Sequence, residues 1–150
     1  MHIRLLGRDD AATLRQLTVD DADFDLEAKP GSTRAPLDAE RALEYLTDPT
    51  VLHWVAEEGD RVLGHLHCQL VRKHAGQPRE LLLYEIGVRS RARRCGVGRA
   101  LTDTMCAWMA THGVADVWVL ADNPGATAFY EACGFEEPAD VPVYLTRSVP

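Results

Sequence analysis

Apolar positions along the chain recur with two different periods, and the places where the period switches mark out its elements. Ala11, Leu14 and Leu17 fall at helical spacing behind Asp9 and Asp10, either of which can cap a short helix. Residues 29–36, with two prolines, a glycine and small polar side chains, read as a loop. Residues 37–46 carry Ala42, Tyr45 and Leu46 at helical spacing, and Asp48-Pro49 ends that helix. Two strand-like runs follow, 51–57 and 62–71, turned around Glu58-Gly59-Asp60-Arg61. After a loop over 72–78, the run 81–88 is a long apolar strand. Its period of two predicts Leu81, Leu83 and Glu85 on one face and Tyr84, Ile86 and Val88 on the other. From Gly98 to His112 the period is helical, with Leu101, Met105, Trp108, Met109 and His112 on one stripe and Gly113 closing the helix. A strand over 116–120, a short helix over 125–133 and a last strand over 141–147 complete the series. A hairpin followed by strands interleaved with helices predicts a mixed α/β domain of α+β character.

The chain's 150 residues suit one domain. Its 46% apolar and 26% charged residues suit a packed globule. No apolar run approaches the roughly 20 residues of a membrane helix. The start, MHIRLLGRDD, lacks the features of a secretory signal, and Cys68, Cys95, Cys106 and Cys133 form no C-x-x-C pair. A reduced, cytoplasmic protein is expected. Charge narrows the partners: 16 Lys and Arg against 23 Asp and Glu leave a net charge of −7, which disfavours nucleic acid and anionic membranes and favours cations. The acidic residues crowd the first thirty positions, whereas Arg89, Arg91, Arg93, Arg94 and Arg99 cluster in the middle.

That basic cluster contains Arg93-Arg94-Cys95-Gly96-Val97-Gly98-Arg99, between the long strand and the amphipathic helix. Two glycines two apart let the backbone turn tightly, and the helix N-terminus aims N–H groups and its positive dipole end at the same place. The combination makes an anion site suited to a pyrophosphate. It has neither the spacing of a Walker A loop nor the third glycine of a dinucleotide fingerprint. The alternative is a plain strand-to-helix turn with solvated arginines. His65-x-His67 could start a metal site, but two ligands without a third favour ordinary strand residues lining an acceptor side.

The segment resembles motif A of the GNAT acetyltransferases: Ile86-Gly87-Val88 precedes Arg93-x-x-Gly96-x-Gly98. A second pattern of that family, N-x-x-A-x-x-x-Y-x-x-x-G-F, is met by Asn123, Ala126, Tyr130, Gly134 and Phe135. The resemblance spans about residues 50–147. It implies a single acetyltransferase domain over 1–150, with a helical acceptor-side region over 1–50 and a sheet and CoA-binding core over 51–147. The implied sheet is central, splayed and mostly antiparallel. It also implies acetyl-CoA as donor and no metal. Carried over by position, the backbone of Arg94, Cys95, Gly96, Val97, Gly98 and Arg99 would hold the pyrophosphate, next to Arg93. Ile86 and Val88 would offer backbone groups to the pantetheine arm, with the Val88 N–H facing the oxyanion. Asn123, beside Ala126, would contact pantetheine or a bridging water, and Tyr130 would protonate the leaving thiolate.

Glu85, a carboxylate among aliphatic neighbours on the central strand, is the candidate base or water-positioner. An ion pair with Arg89 is its alternative task. Within the superfamily the chain is most similar to the small aminoglycoside 3-N-acetyltransferases. The likeness rests on Leu83-Tyr84-Glu85-Ile86-Gly87-Val88, where those enzymes have an aromatic-Tyr-Asp-Leu-Ala-Val strand, and on Ala121-Asp122 before the second motif. The expected partner is a cationic small-molecule amine, bound by Asp21, Asp23, Asp25, Glu85, Asp122 and Asp140, with Glu27, Glu57 and Glu58 further candidates. Protein N-terminal, lysine or polyamine acetylation, and an acyl-CoA sensor without turnover, are the competing readings. Homodimers occur in the family, and the apolar content neither demands nor excludes one.

Overall fold

The computed structural model describes residues 1–24 and 35–149, so Asp25 and Glu27 lie outside the described residues. The chain divides into two compact units, Met1–Leu120 and Ala121–Pro150.

The first unit holds a five-stranded sheet in the order β1-β2-β3-β4-β5: β1 (His2–Leu5), β2 (Val51–Glu58), β3 (Arg61–Val71), β4 (Glu80–Val88) and β5 (Val117–Val119). The first four strands pair antiparallel and β5 joins β4 in parallel. Among the described residues, the α-helices α1 (Ala11–Val19), α2 (Asp21–Phe24) and α3 (Ala39–Thr47) precede β2, and α4 (Val97–His112) links β4 to β5. A mixed sheet with helices is the expected architecture. The strand β1 was not foreseen in so short and polar a run; Arg4 fixes it by a two-pronged bond to Glu57, at 2.9 and 3.0 Å, and a third to Asp10 at 2.8 Å.

Register assigns the two faces. Leu52, Trp54 and Ala56 pair with Cys68, Leu66 and Gly64, and this face meets α4: Trp54 packs against Trp108, Cys68 against Met105, and an added Cβ at Gly64 would strike Val97. Val97, Leu101, Met105 and Met109 of α4 are buried, and Gly113 ends the helix in the left-handed region at φ 65°. Leu6, Leu14, Leu17, Phe24, Ala42 and Val55 form a second core against the opposite face. Buried on both sides from Leu52 to Ala56, β2 does not alternate apolar with polar residues, and His53 is the one polar side chain within that buried stretch.

The second unit contains α5 (Pro124–Ala132). The strand expected over 141–147 is not formed; these residues carry neither helix nor strand, and Val141, Val143, Tyr144 and Leu145 are exposed. Their apolar character supplies strand propensity, but Pro142 removes a donor, and no described residue pairs with them.

Candidate active site

The end of β4 and the turn after it carry the anion-site residues. Arg89 N–H bonds to Leu63 O at 2.9 Å. Antiparallel alternation therefore turns the N–H and C=O groups of Val88 and Ile86 away from β3, to the edge facing β5. That strand pairs only as far as Leu83. Beyond Leu83 the edge of β4 is not paired with β5, and strand backbone is presented along it. The Val88 carbonyl there accepts from Arg93 Nε at 2.9 Å, and Arg93 also reaches the carbonyls of Asp23 and Phe24. The Arg93 guanidinium thus ties β4 to α2, a structural task the sequence did not reveal. Past it, Arg94 adopts φ 61° and Gly96 φ 83°, a left-handed geometry that costs a non-glycine residue about 1–2 kcal/mol. Cys95 Sγ lies 3.4 Å from Arg93 O. The first rung of α4 is Ala100 N–H to Gly96 O at 3.0 Å, so the N–H groups of Val97, Gly98 and Arg99 precede the helical ladder. Arg94 and Arg99 are exposed beside them. Glycine conformation, a row of N–H groups and exposed arginines fit a pyrophosphate.

Glu85 lies on the opposite face from the one it was expected to share with Leu81 and Leu83. His67 pairs with Glu85 while the adjacent Cys68 pairs with Leu83, so Tyr84 is an extra residue in a β-bulge. Neighbours in β3 point to opposite faces. Leu83 therefore faces α4 with Cys68, and Glu85 faces the other way with His67. Ile86 and Val88, partners of Leu66 and Gly64, return to the α4 face instead of sharing Tyr84's. Arg89 does not pair with Glu85: it binds Asp20 and Asp23, the latter at 3.0 Å, and covers the Phe24 ring at 4.6 Å.

Glu85 opens onto a cavity of about 560 Å³ bounded by α1, α3 and the sheet. His53, His65 and His67 line it with Tyr45 and Tyr84. His53 Nδ1 lies 2.9 Å from Tyr45 Oη, and His53 Nε2 lies 3.2 Å from His65 Nδ1. The His53 and His67 rings are within 11° of parallel at 5.6 Å. Burial, reinforced by His65 and His67, holds the His53 pKa well below the usual imidazole value. Among the described lining residues, the carboxylates Asp21, Glu44, Asp48 and Glu85 face one cation, Arg41. The Thr50 hydroxyl and N–H lower the Asp48 pKa and keep that group ionised.

The acidic residues named from sequence thus separate. Asp21 and Glu85 line the cavity. Asp23 is engaged by Ser90 at 2.8 Å and by Arg89, which hold its carboxyl below the usual range. Glu57 binds Arg4. In the second unit Asn123 caps α5, its Oδ1 accepting from Ala126 N–H at 2.8 Å while its Nδ2 donates to Asp122 at 3.0 Å. Tyr130 is buried, with the Phe129 and Phe135 rings at 5.3 and 5.4 Å. Asp140 is exposed. The sequence reading missed His53, Tyr45, Glu44 and Asp48. Only the register that sets His53 beside His67 reveals the first, and only the docking of α3 reveals the others. Among the described residues, no group of three or more His, Cys, Asp or Glu is arranged to hold a metal, and no helix is long and apolar enough to cross a membrane.

Comparison with known proteins agrees with this geometry. Residues 14–135 match the model of the acetyltransferase (GNAT) family. N-acetyltransferase 8B of Rattus norvegicus is 30% identical over 95 residues, covering 62% of this chain and 43% of the relative. Mycothiol acetyltransferase of Paenarthrobacter aurescens (strain TC1) is 32% identical over 132 residues, covering 86% of this chain and 40% of the relative. The chain spans less than half the length of these curated relatives. An aminoglycoside acetyltransferase from an uncultured soil metagenomic sample, solved in complex with sisomicin, superposes with a TM-score of 0.82 over 98% of this chain and 96% of that one. At 19% identity, that likeness is one of fold. With a family match over most of its length, a mixed sheet and a glycine-turned helix N-terminus, the chain belongs to the acetyltransferase (GNAT) family.

Proposed function

We propose that the protein transfers the acetyl group of acetyl-CoA directly to an amine of a polycationic small molecule, an aminoglycoside in the first instance. The observation that carries this reading is the cavity whose described lining sets four carboxylates against one arginine, on the face to which the bulge delivers Glu85. Each ammonium–carboxylate contact is a charge-assisted hydrogen bond of about 1.5–3 kcal/mol, so several favour a polyamine over a neutral solute. The similar fold of the sisomicin-bound enzyme supports the same class of acceptor. Acylation at the 3-N position is the regiochemistry implied by the resemblance of the 83–88 strand, and product NMR reads it directly.

In this reading the N–H groups from Arg94 to Arg99 bind the pyrophosphate, and Ile86 and Val88 present backbone groups to the pantetheine arm. The Val88 N–H faces the developing oxyanion. Asp21 and Glu85 hold the acceptor, and Glu85 acts as base or orients a water. Tyr130 donates a proton to the CoA thiolate; a phenol of pKa about 10 is matched to a thiol of about 8.5. Asn123 serves through its cap on Ala126, which fixes the start of the helix bearing Tyr130.

The test is release of CoA thiol from acetyl-CoA with gentamicin, spermidine and a short N-terminal peptide in parallel. Turnover with gentamicin alone supports the aminoglycoside assignment. Turnover with the peptide alone keeps the donor and replaces the acceptor. Acetyl-CoA binding without turnover on any of the three points to a narrower acceptor or to a sensor.

A further inference from the structure

Three imidazoles and two phenols are an unusual lining for a cavity that receives an ammonium, because none of them carries the negative charge that attracts it. Their connections suggest another task. His53 is buried and has a partner at each ring nitrogen, Tyr45 Oη on one side and His65 Nδ1 on the other. Neutral imidazole has one donor and one acceptor nitrogen, so it can take a proton at one nitrogen while releasing one from the other. Both ends of the chain, Tyr45 and His65, line the cavity.

We propose that Tyr45, His53 and His65 form a proton relay that draws the proton from the acceptor ammonium, with His53 as the shuttle. This rests on the amine-acetylation reading above. In the resting arrangement Tyr45 donates to His53 Nδ1, and the Nε2 proton of His53 is donated to His65 Nδ1. An ammonium at the cavity gives a proton to Tyr45 Oη as the hydroxyl proton passes to His53 Nδ1. The His53 Nε2 proton then passes to His65 Nδ1. The amine is left neutral with its lone pair free to attack, and His65 is left as imidazolium. After product leaves, the same steps in reverse return the proton to water. His53 ends each pass neutral, as its burial requires.

The surrounding charges suit this route. Tyr45 comes from α3, which also brings Glu44 and Arg41, and Asp48 follows the helix. His67, from the same strand as His65, stacks on His53. Glu85 and Gly87 pair with His67 and His65, so the Glu85 carboxylate stands two residues along β4 from the partner of the His65 imidazolium. Asp21 of α2 completes the anionic rim. Glu85 then serves as the anionic partner of the ammonium while the relay carries its proton. An imidazole, ordinarily near 6.5, is about two pKa units better matched to an ammonium than a carboxylate near 4.3.

Tyr45→Phe and His53→Gln test the relay against wild type, with CoA-thiol release followed from pH 6 to 9.5 using the acceptor that wild type turns over. Expected is a loss of kcat at neutral pH of about 10²-fold, with KM held within about two-fold. The deficit narrows as pH rises and the amine arrives already neutral. An equal loss at every pH, or KM rising in step, assigns these residues to packing and overturns the relay. Nitrogen-15 NMR of the histidine rings provides a readout independent of turnover: wild type is expected to show His53 as the Nε2–H tautomer, with the Nδ1 resonance moving in Tyr45→Phe as its donor is lost, and a His53 that carries its proton on Nδ1 in the resting protein overturns the relay. Wild-type protein inactive on every amine removes the acetylation reading itself, and the relay's role with it.

Discussion

Replacing Gly87 with alanine adds a single methyl where β4 passes under the histidine chain. Gly87 pairs with His65 across the sheet. A Cβ there would lie 2.6 Å from His65 Nε2, 3.1 Å from His65 Cδ2 and 2.9 Å from Phe24 Cβ. No backbone strain enters; the constraint is space. Neither neighbour retreats cheaply. The His65 ring is bonded to His53, and the Phe24 Cβ is one bond from the backbone of α2, whose Asp23 is tied to Arg89 and Ser90. Overpacking of this kind costs about 1–3 kcal/mol, equivalent to about 2–12 °C in Tm for a chain of this length. Urea unfolding of Gly87→Ala, His65→Ala and the double variant reads it. Removing the imidazole relieves the tighter clash, so the double variant should be more stable than the sum of the singles by at least about 0.5 kcal/mol. Gly87→Ala within about 0.5 kcal/mol of wild type, or a strictly additive cycle, would refute the reasoning.

Other residues give shorter predictions. Folding holds His53 neutral while the unfolded chain takes up a proton near pH 6.5, so stability should fall as pH drops below about 6.5, by at most about 1.4 kcal/mol per pH unit. His53→Gln should flatten that slope in urea titrations at pH 7.5 and 5.5. Arg89→Ala removes two charge-assisted contacts and the cover over Phe24, and should cost about 2–3 kcal/mol; chemical denaturation checks it, and a loss below about 0.5 kcal/mol contradicts it. Asn123→Ala deletes the α5 cap and should cost about 1 kcal/mol, with faster amide exchange confined to the first turn of that helix. Tyr130→Phe should lower turnover far more than acetyl-CoA binding, and equal loss of both would assign the ring to packing with Phe129 and Phe135.

Local signals carried the sequence reading a long way. Helices α1, α3, α4 and α5 and strands β2 to β5 follow from periodicity, from Gly113 after α4 and from the Gly59 turn, because those features act between near neighbours. The left-handed Gly96 at the start of α4 is likewise a local demand. Properties set by pairing stayed hidden. The strand β1 depends on Arg4 reaching Glu57, 53 residues away, and residues 141–147 have strand propensity without a described partner. The cavity is assembled from α1, α2, α3, β2, β3 and β4, so no spacing rule could gather Tyr45, His53, His67 and Glu85 in advance. The same holds for Asp23, whose apparent availability in an acidic run ends with its contact to Arg89, 66 residues on.

The error over Glu85 has a single cause, and it shows how β4 meets two incompatible demands. With Tyr84 left out of the count, the run Leu81-Leu82-Leu83-Glu85-Ile86-Gly87-Val88 alternates without fault: Leu81, Leu83, Ile86 and Val88 to one side, Leu82, Glu85 and Gly87 to the other. Counted in strict register with Tyr84 included, the same run sends Glu85 into the face packed on α4, where Leu81 and Leu83 are almost wholly buried beside Leu101 and Met105. A carboxylate there would be left without water or a cation, a cost of several kcal/mol. Ile86 and Val88 would be turned outward at the same time. The bulge absorbs the extra residue as an exposed tyrosine, 67% accessible, and restores both faces beyond it. One strand thereby buries an apolar face against α4, presents Glu85 to the cavity, and carries the Ile86 backbone and the Val88 N–H past the point where β5 stops.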